Sequence, residues 1–243
     1  MRIAKIHPTP KSDKKIVFRG AHMTAIIDKA APDIEIECWA QGFEPPINKL
    51  TGQVVLIEVF QVNCPGCFIH ALPEVIRLHQ SYESQGLKVF AIATAFEDFE
   101  HNTLNKLQGL LSTGELQGDP LLQLGKTGFL DDNKLPYSMP FSVAMDKLVK
   151  NETAVNKSTV NQFILSQIPD FFQGTLSESR KRAIYLQAQS YLNSKTVNAL
   201  TFEMYQLQGT PSSMLIDKKG ILRQVSFGAV NQLEKDIQAL LNK

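Results

Sequence analysis

Residues 54–70 read VVLIEVFQVNCPGCFIH: Val54 to Phe60, apolar except for Glu58, then Cys64-Pro65-Gly66-Cys67, then the first residues of an apolar helical face. A near-continuous apolar run of this length suits a strand covered on both faces of a parallel sheet, so the stretch predicts strand, reactive pair, helix. Cysteines three apart on the first turn of a helix have Cβ atoms roughly 5–6 Å apart, and modest closure brings them within disulfide range. The free N–H groups and dipole at a helix start favour an anion, which lowers the expected pKa of Cys64 and makes it the nucleophile. Pro65 suits a first-turn position, where its missing N–H costs nothing. Cys67, one turn in and less exposed, is then the resolving thiol. Glu58 is the oddity of the strand, because an ionised carboxylate is costly to bury without a partner. Burial should raise its pKa and fit it to exchange a proton with Cys67; a carboxylate hydrogen-bonded for structure alone is the other reading.

The chain of 243 residues, 43% apolar and 20% charged, can bury a full core and fits one elaborated domain or a domain with a large insert. Its formal net charge is +1. The charge is uneven, since Arg2, Lys5, Lys11, Lys14, Lys15 and Arg19 face only Asp13 in residues 1–22. Residues 1–30 are accordingly expected to be a basic N-terminal extension, with Met23 an alternative start. No aromatic residue lies among Lys5 to Lys15, so neither a nucleic-acid nor a membrane partner is expected. No early apolar stretch long enough for a signal-peptide core is visible, and the expectation is a cytoplasmic protein. Three cysteines, two of them in Cys-x-x-Cys, do not make a disulfide framework; in a reducing compartment such a pair is redox-active or metal-binding.

Outward from the central stretch, Asp33 to Cys38 alternates apolar and acidic residues as a one-face-buried strand would, placing Cys38 inside as a small core residue. Pro65 to about Ser84 reads as a helix bent by Pro73, and Leu87 to Thr94 as a second buried strand after Gly86. A helix on Leu104, Leu107 and Leu111 and a short strand at 141–146 follow. Residues 147–200 carry only amphipathic helical runs and no strand signal, which marks a helical insertion at about 147–201. Strand behaviour returns at Ser212 to Asp217 and Ile221 to Phe227, an antiparallel hairpin, before a last helix with Asn231 and Glu234 at capping-box spacing.

This order of motifs, with Gly209-Thr210-Pro211 ahead of the hairpin, resembles the thioredoxin-like fold and most of all its redoxin branch, which includes TlpA-like thiol-disulfide oxidoreductases. Ala31-Pro32-Asp33 and Leu50-Thr51-Gly52-Gln53 are similar to that branch's N-terminal signature. The resemblance covers residues 31 to about 146 and 202–243. It implies a three-layer α/β/α fold with a central mixed sheet, a domain spanning 31–243, and dithiol–disulfide exchange through a redox-active Cys64–Cys67 disulfide with no other cofactor. It implies also a cis Pro211 lying against the cysteines and Thr210 backbone groups that, with Pro65 and Gly66, meet the substrate. A disulfide-containing protein substrate and an upstream thiol reductant are the implied partners. Three departures stand out: Asn63 replaces the aromatic residue common before the first cysteine, the helix proline follows Cys67 by six residues rather than five, and many TlpA-like proteins are exported. His70, where relatives often carry Glu, reads either as a cation tuning the thiols or as an exposed helix residue.

Three other readings compete with this one. A peroxiredoxin-like peroxidase usually has Pro-x-x-x-Thr/Ser-x-x-Cys, whereas Ile57 and Gln61 occupy those positions here. A zinc module built on Cys64, Cys67 and His70 or His79 lacks a fourth ligand, so no metal is expected. A non-catalytic binding protein would use the insert, whose Phe163, Phe171, Phe172 and Tyr185 could cover the active-site face, form a dimer seam or pack inward.

Overall fold

Val54–Phe60 forms the central strand β2, with every residue buried, in a computed structural model that describes residues 24–228 and 232–243. The basic residues Arg2 to Arg19, Met23 and Asn231 lie outside the described residues. β2 pairs in parallel with β3 (Leu87–Ala93), and β3 in parallel with β4 (Ser142–Asp146). On its other side β2 pairs antiparallel with β7 (Ser212–Ile216), which forms the expected hairpin with β8 (Leu222–Phe227). With β1 (Ile36–Gln41) antiparallel on β4, the six strands run in the order β1-β4-β3-β2-β7-β8. This is the mixed central sheet that the resemblance implied.

Alternation along the strands divides the core in two. Val54, Leu56 and Phe60 of β2 join Leu72, Val75 and Leu78 of helix α1 (Leu72–Tyr82), Leu107 and Leu110 of α2 (Leu104–Thr113) and Leu233 and Ile237 of α7 (Leu233–Leu241) on one face. Val55, Ile57 and Val59 face the other way, against Ile47, Leu50 and the segment 199–207, which holds α6 (Leu200–Met204). Helices thus cover both faces, and the three-layer α/β/α architecture follows.

Several expectations need correction. The first strand begins at Ile36, not Asp33, because Asp33 is used as a turn anchor: its carboxylate accepts from the Ile34 and Ile47 N–H groups at 3.0 Å each. Cys38 is only half-buried, since β1 is an edge strand with two register shifts. Residues 25–30, assigned to the extension, bond to the body: Ala25 N–H donates to Met204 O at 2.9 Å and Asp28 N–H to Leu222 O at 2.8 Å. The last helix starts behind Gln232 without a side-chain cap. Glu234 is instead engaged by Arg77 at 2.8 Å and by the Tyr82 hydroxyl at 2.7 Å, tying α7 to α1.

The helix after the cysteines is less regular than expected. Pro65 and Gly66 begin it, Cys67–Ala71 form a π-turn in which the Leu72 N–H reaches back to Cys67 O, and only then does α1 run to Tyr82. A turn closed five residues back encloses one residue more than an α-turn, so the extra residue between Cys67 and Pro73 is absorbed there. Gly86, at φ 99°, then ends the segment in a conformation that favours glycine.

The region 147–201 holds two helices, α4 (Lys157–Gln167) and α5 (Glu178–Ser194), with α3 (Gly118–Leu124) lying earlier in the chain. It also holds two strands that sequence reasoning missed, β5 (Leu148–Lys150) and β6 (Val197–Ala199), paired antiparallel at the base of the insertion. Three residues are too few for a period-2 pattern to register. Val160, Ile164, Phe171 and Ala188 form a separate small core, with Phe163 and Tyr185 partly buried against it and Phe172 exposed.

Candidate active site

β2 and the helix that follows it carry the site. Because side chains alternate, Glu58 points to the same face as Leu56 and Phe60, the face that the Cys67 helix covers. Glu58 is fully buried. Its Oε2 accepts from the Ser213 hydroxyl at 2.6 Å across the β2–β7 pair, and its Oε1 has no hydrogen-bond partner among the described residues. Burial pushes the carboxyl from an ordinary 4.5 up to about 8, against the lowering effect of Ser213 and with a smaller upward push from Cys64.

The two cysteines are free thiols in opposite environments. Cys64 is half-buried, and its pKa falls from 9.0 to about 6, first through the hydrogen bond donated by the Cys67 thiol, aided by the backbone N–H groups of Cys67 and Gly66, with burial opposing. The Cys67 N–H lies 3.3 Å from Cys64 Sγ. Cys67 is buried and held well above its ordinary value, by burial first, then by its bond to Cys64 and by the charges of Cys64 and Glu58. One thiolate sits beside one protonated thiol.

Thr210-Pro211 closes the site from the far end of the chain, with a cis peptide bond. Cys64 Sγ lies 3.7 Å from Thr210 O. Pro65 and Gly66 are partly exposed beside the pair, and a Cβ on Gly66 would meet nothing within 4 Å. Gly209 is different: a Cβ there would lie 2.6 Å from the Phe227 ring, which packs on the glycine while remaining 57% exposed. His70 is exposed on the helix, and His79 packs edge-on against Phe141 instead. Among the described residues no group of three or more His, Cys, Asp or Glu could hold a metal ion. No helix among them is long and apolar enough to cross a membrane.

No protein-family model and no curated protein matches the chain. Solved structures do. A thiol-disulfide isomerase from Corynebacterium glutamicum is 22% identical, with 86% of this chain and 94% of that chain covered at a TM-score of 0.53. A thioredoxin-like superfamily protein is 23% identical, with 88% and 97% covered at a TM-score of 0.54. The chain has a thioredoxin-like fold.

Within this thioredoxin-like frame the structure adds residues that sequence reasoning missed. Gln61, buried, accepts from the Thr210 hydroxyl at 3.1 Å, donates to Glu97 O at 3.0 Å, and accepts the Cys64 N–H on its own carbonyl at 3.2 Å. It ties together the cysteine loop, the Thr210-Pro211 loop and the loop after β3. Asn63, where an aromatic residue is common, joins two of these loops, the cysteine loop and the loop after β3: its N–H donates to Asn102 Oδ1 at 3.0 Å and its amide to Asp98 Oδ2 at 3.2 Å. Ser213 carried one signal, a hydroxyl inside an apolar strand, but its pairing opposite Glu58 is a property of the register. The insertion reaches this rim too, through Tyr191, whose hydroxyl donates to Phe96 O at 3.4 Å.

Proposed function

We propose that the protein is a thiol-disulfide oxidoreductase that reduces disulfides through Cys64 and Cys67. The observation that carries the reading is the split of the pair: a half-exposed thiolate near pKa 6 beside a buried thiol that keeps its proton. The Cys64 thiolate attacks one sulfur of a substrate disulfide, forming a mixed disulfide and releasing the other sulfur as a thiolate. That step removes the negative charge on Cys64, which had helped to hold the Glu58 pKa up. Glu58 then ionises more readily and can take the Cys67 proton. The Cys67 thiolate attacks Cys64 Sγ and expels the second substrate thiolate. Two electrons pass to the substrate, and the Cys64–Cys67 disulfide remains for a separate thiol reductant to reopen.

The substrate is best read as a protein. Thr210 O lies within reach of Cys64, and Phe227 offers an exposed apolar ring beside the same loop. An extended segment with an apolar side chain near its disulfide would fit there.

The reduced protein is expected to reduce insulin disulfides. Cys64→Ser should abolish this and Cys67→Ser should trap a mixed disulfide. Glu58→Gln should slow resolution at neutral pH while leaving the first attack intact. Activity retained in Cys64→Ser would sink the proposal.

A further inference from the structure

We infer that Tyr137 is a positioning residue for the resolving step, holding the turn that carries Cys67 by donating its hydroxyl to a carbonyl that Pro73 leaves without a backbone partner. The inference rests on the dithiol reading above and concerns how the second thiol is held.

In the π-turn Cys67–Ala71 the Leu72 N–H reaches Cys67 O, five residues back. The next acceptor in that ladder is Phe68 O, and the residue five ahead of it is Pro73, which has no N–H. Phe68 is buried at 0% exposure, so an unmatched carbonyl there is costly. The Tyr137 hydroxyl takes the place of the missing donor at 2.5 Å. It arrives from a different part of the chain, the loop between α3 and β4. Its flanks are fixed, since Leu135 and Met139 are both buried and Gln41 Nε2 donates to Met139 O at 2.8 Å. The Phe129 ring sets the Tyr137 ring edge-on at 6.5 Å.

Two consequences follow for Cys67. Its carbonyl and that of Phe68 are both engaged, one by Leu72 and one by Tyr137, so both carbonyls of the turn are pinned. Tyr137 also lies within electrostatic reach of Cys67: its hydroxyl is pushed upward by burial first and by Cys67 second, so the phenol stays a donor through the physiological range. In-line attack of Cys67 on Cys64 Sγ demands a placement that a loosened turn would blur. Tyr137 touches neither sulfur in the bond-making step, and its effect should therefore appear in resolution alone.

The probe is 5,5′-dithiobis(2-nitrobenzoate), followed by stopped flow. Attack by Cys64 releases one coloured thiolate and leaves a mixed disulfide; attack by Cys67 releases the second and closes the Cys64–Cys67 disulfide. In Tyr137→Phe the first phase should keep its rate and its pH profile, while the second slows by about threefold to tenfold, the range that one lost hydrogen bond represents. Adding Pro73→Ala to Tyr137→Phe supplies a backbone N–H for Phe68 O and should restore most of the second-phase rate. An unchanged second phase in Tyr137→Phe overturns the inference. Equal slowing of both phases, or equal slowing with and without Pro73→Ala, overturns it as well, since either would mark a general loss of structure. A wild-type protein that releases no coloured thiolate overturns the dithiol reading and this inference with it, an outcome distinct from a normal first phase with an unaffected second.

Discussion

Cys64 and Cys67 are the same chemical group three residues apart, and their environments push their pKa values in opposite directions. Cys64 collects donors, the Cys67 thiol first among them, whereas Cys67 is buried in the core that also holds Phe60, Phe68 and Leu72 and faces the charges of Cys64 and Glu58. The roles assigned to the two thiols follow from that difference. Alkylation of Cys64 by iodoacetamide should rise with pH around a midpoint near 6. In Cys67→Ala, which removes the largest lowering influence, the midpoint should move up toward 9.0, the ordinary thiol value. A midpoint unmoved by Cys67→Ala would mean that the backbone donors alone set the thiolate. The buried Glu58 was legible in the linear chain because an apolar strand is a local feature; the lowering of Cys64 was legible in direction from the helix start, although its first cause is the Cys67 thiol. Ser213, Gln61 and Tyr137 were not, because each acts on a residue 69 or more positions away.

Among the elements, β4 and the insertion meet at one side chain. Asp146, the last residue of β4, is fully buried and accepts from the Thr201 N–H at 2.9 Å, the Phe202 N–H at 3.1 Å and the Thr94 hydroxyl at 2.8 Å. It thereby fixes the start of α6, where the chain re-enters the sheet layer after the insertion, to the end of β3. Burial pushes its carboxyl up to about 6 in spite of those donors. Asp146→Ala leaves two backbone donors and a hydroxyl unmatched and should cost about 2–4 kcal/mol in urea unfolding; a cost below about 0.5 kcal/mol would show that solvent replaces the clamp. The long apolar strands and the helices with a clear stripe were readable from periodicity. The short pair β5 and β6 was not, and neither was the shift of β1, because hydrogen bonds made by Asp33 outweigh the alternation around it.

For the whole molecule, the buried Glu58 makes stability depend on pH. Between about 4.5 and about 8 the native protein keeps a proton that the unfolded chain releases. The native state therefore binds more protons in that window, and this group's contribution to stability falls as pH rises through it. Cys64 acts in the opposite sense between about 6 and 9.0, so the Glu58 effect is best read as a difference between two proteins. Glu58→Gln should gain on the wild type by a few kcal/mol in unfolding free energy between pH 5 and pH 8.5, at up to about 1.4 kcal/mol per pH unit. Parallel stability curves for the two would remove the buried-carboxyl account. The insertion adds a small core of its own at Val160, Ile164, Phe171 and Ala188, joined to the site rim by the Tyr191–Phe96 contact.

Residues 54–70 carried the buried strand, the helix start behind the cysteine pair and the cost of Glu58, because these depend on burial pattern and on the physics of a helix start, both local along the chain; the fold class came from the resemblance of the whole order of motifs. Thr210-Pro211 was legible only through resemblance to known proteins, since nothing in the spacing from Cys64 says that two segments 146 residues apart will meet. Tertiary structure alone decided which groups share each charge and each carbonyl: Ser213 on Glu58, Gln61 between three loops, Asp146 under α6, and Tyr137 on Phe68. Those choices turn on strand register and loop path, to which the linear sequence contributes only through the packing of the whole.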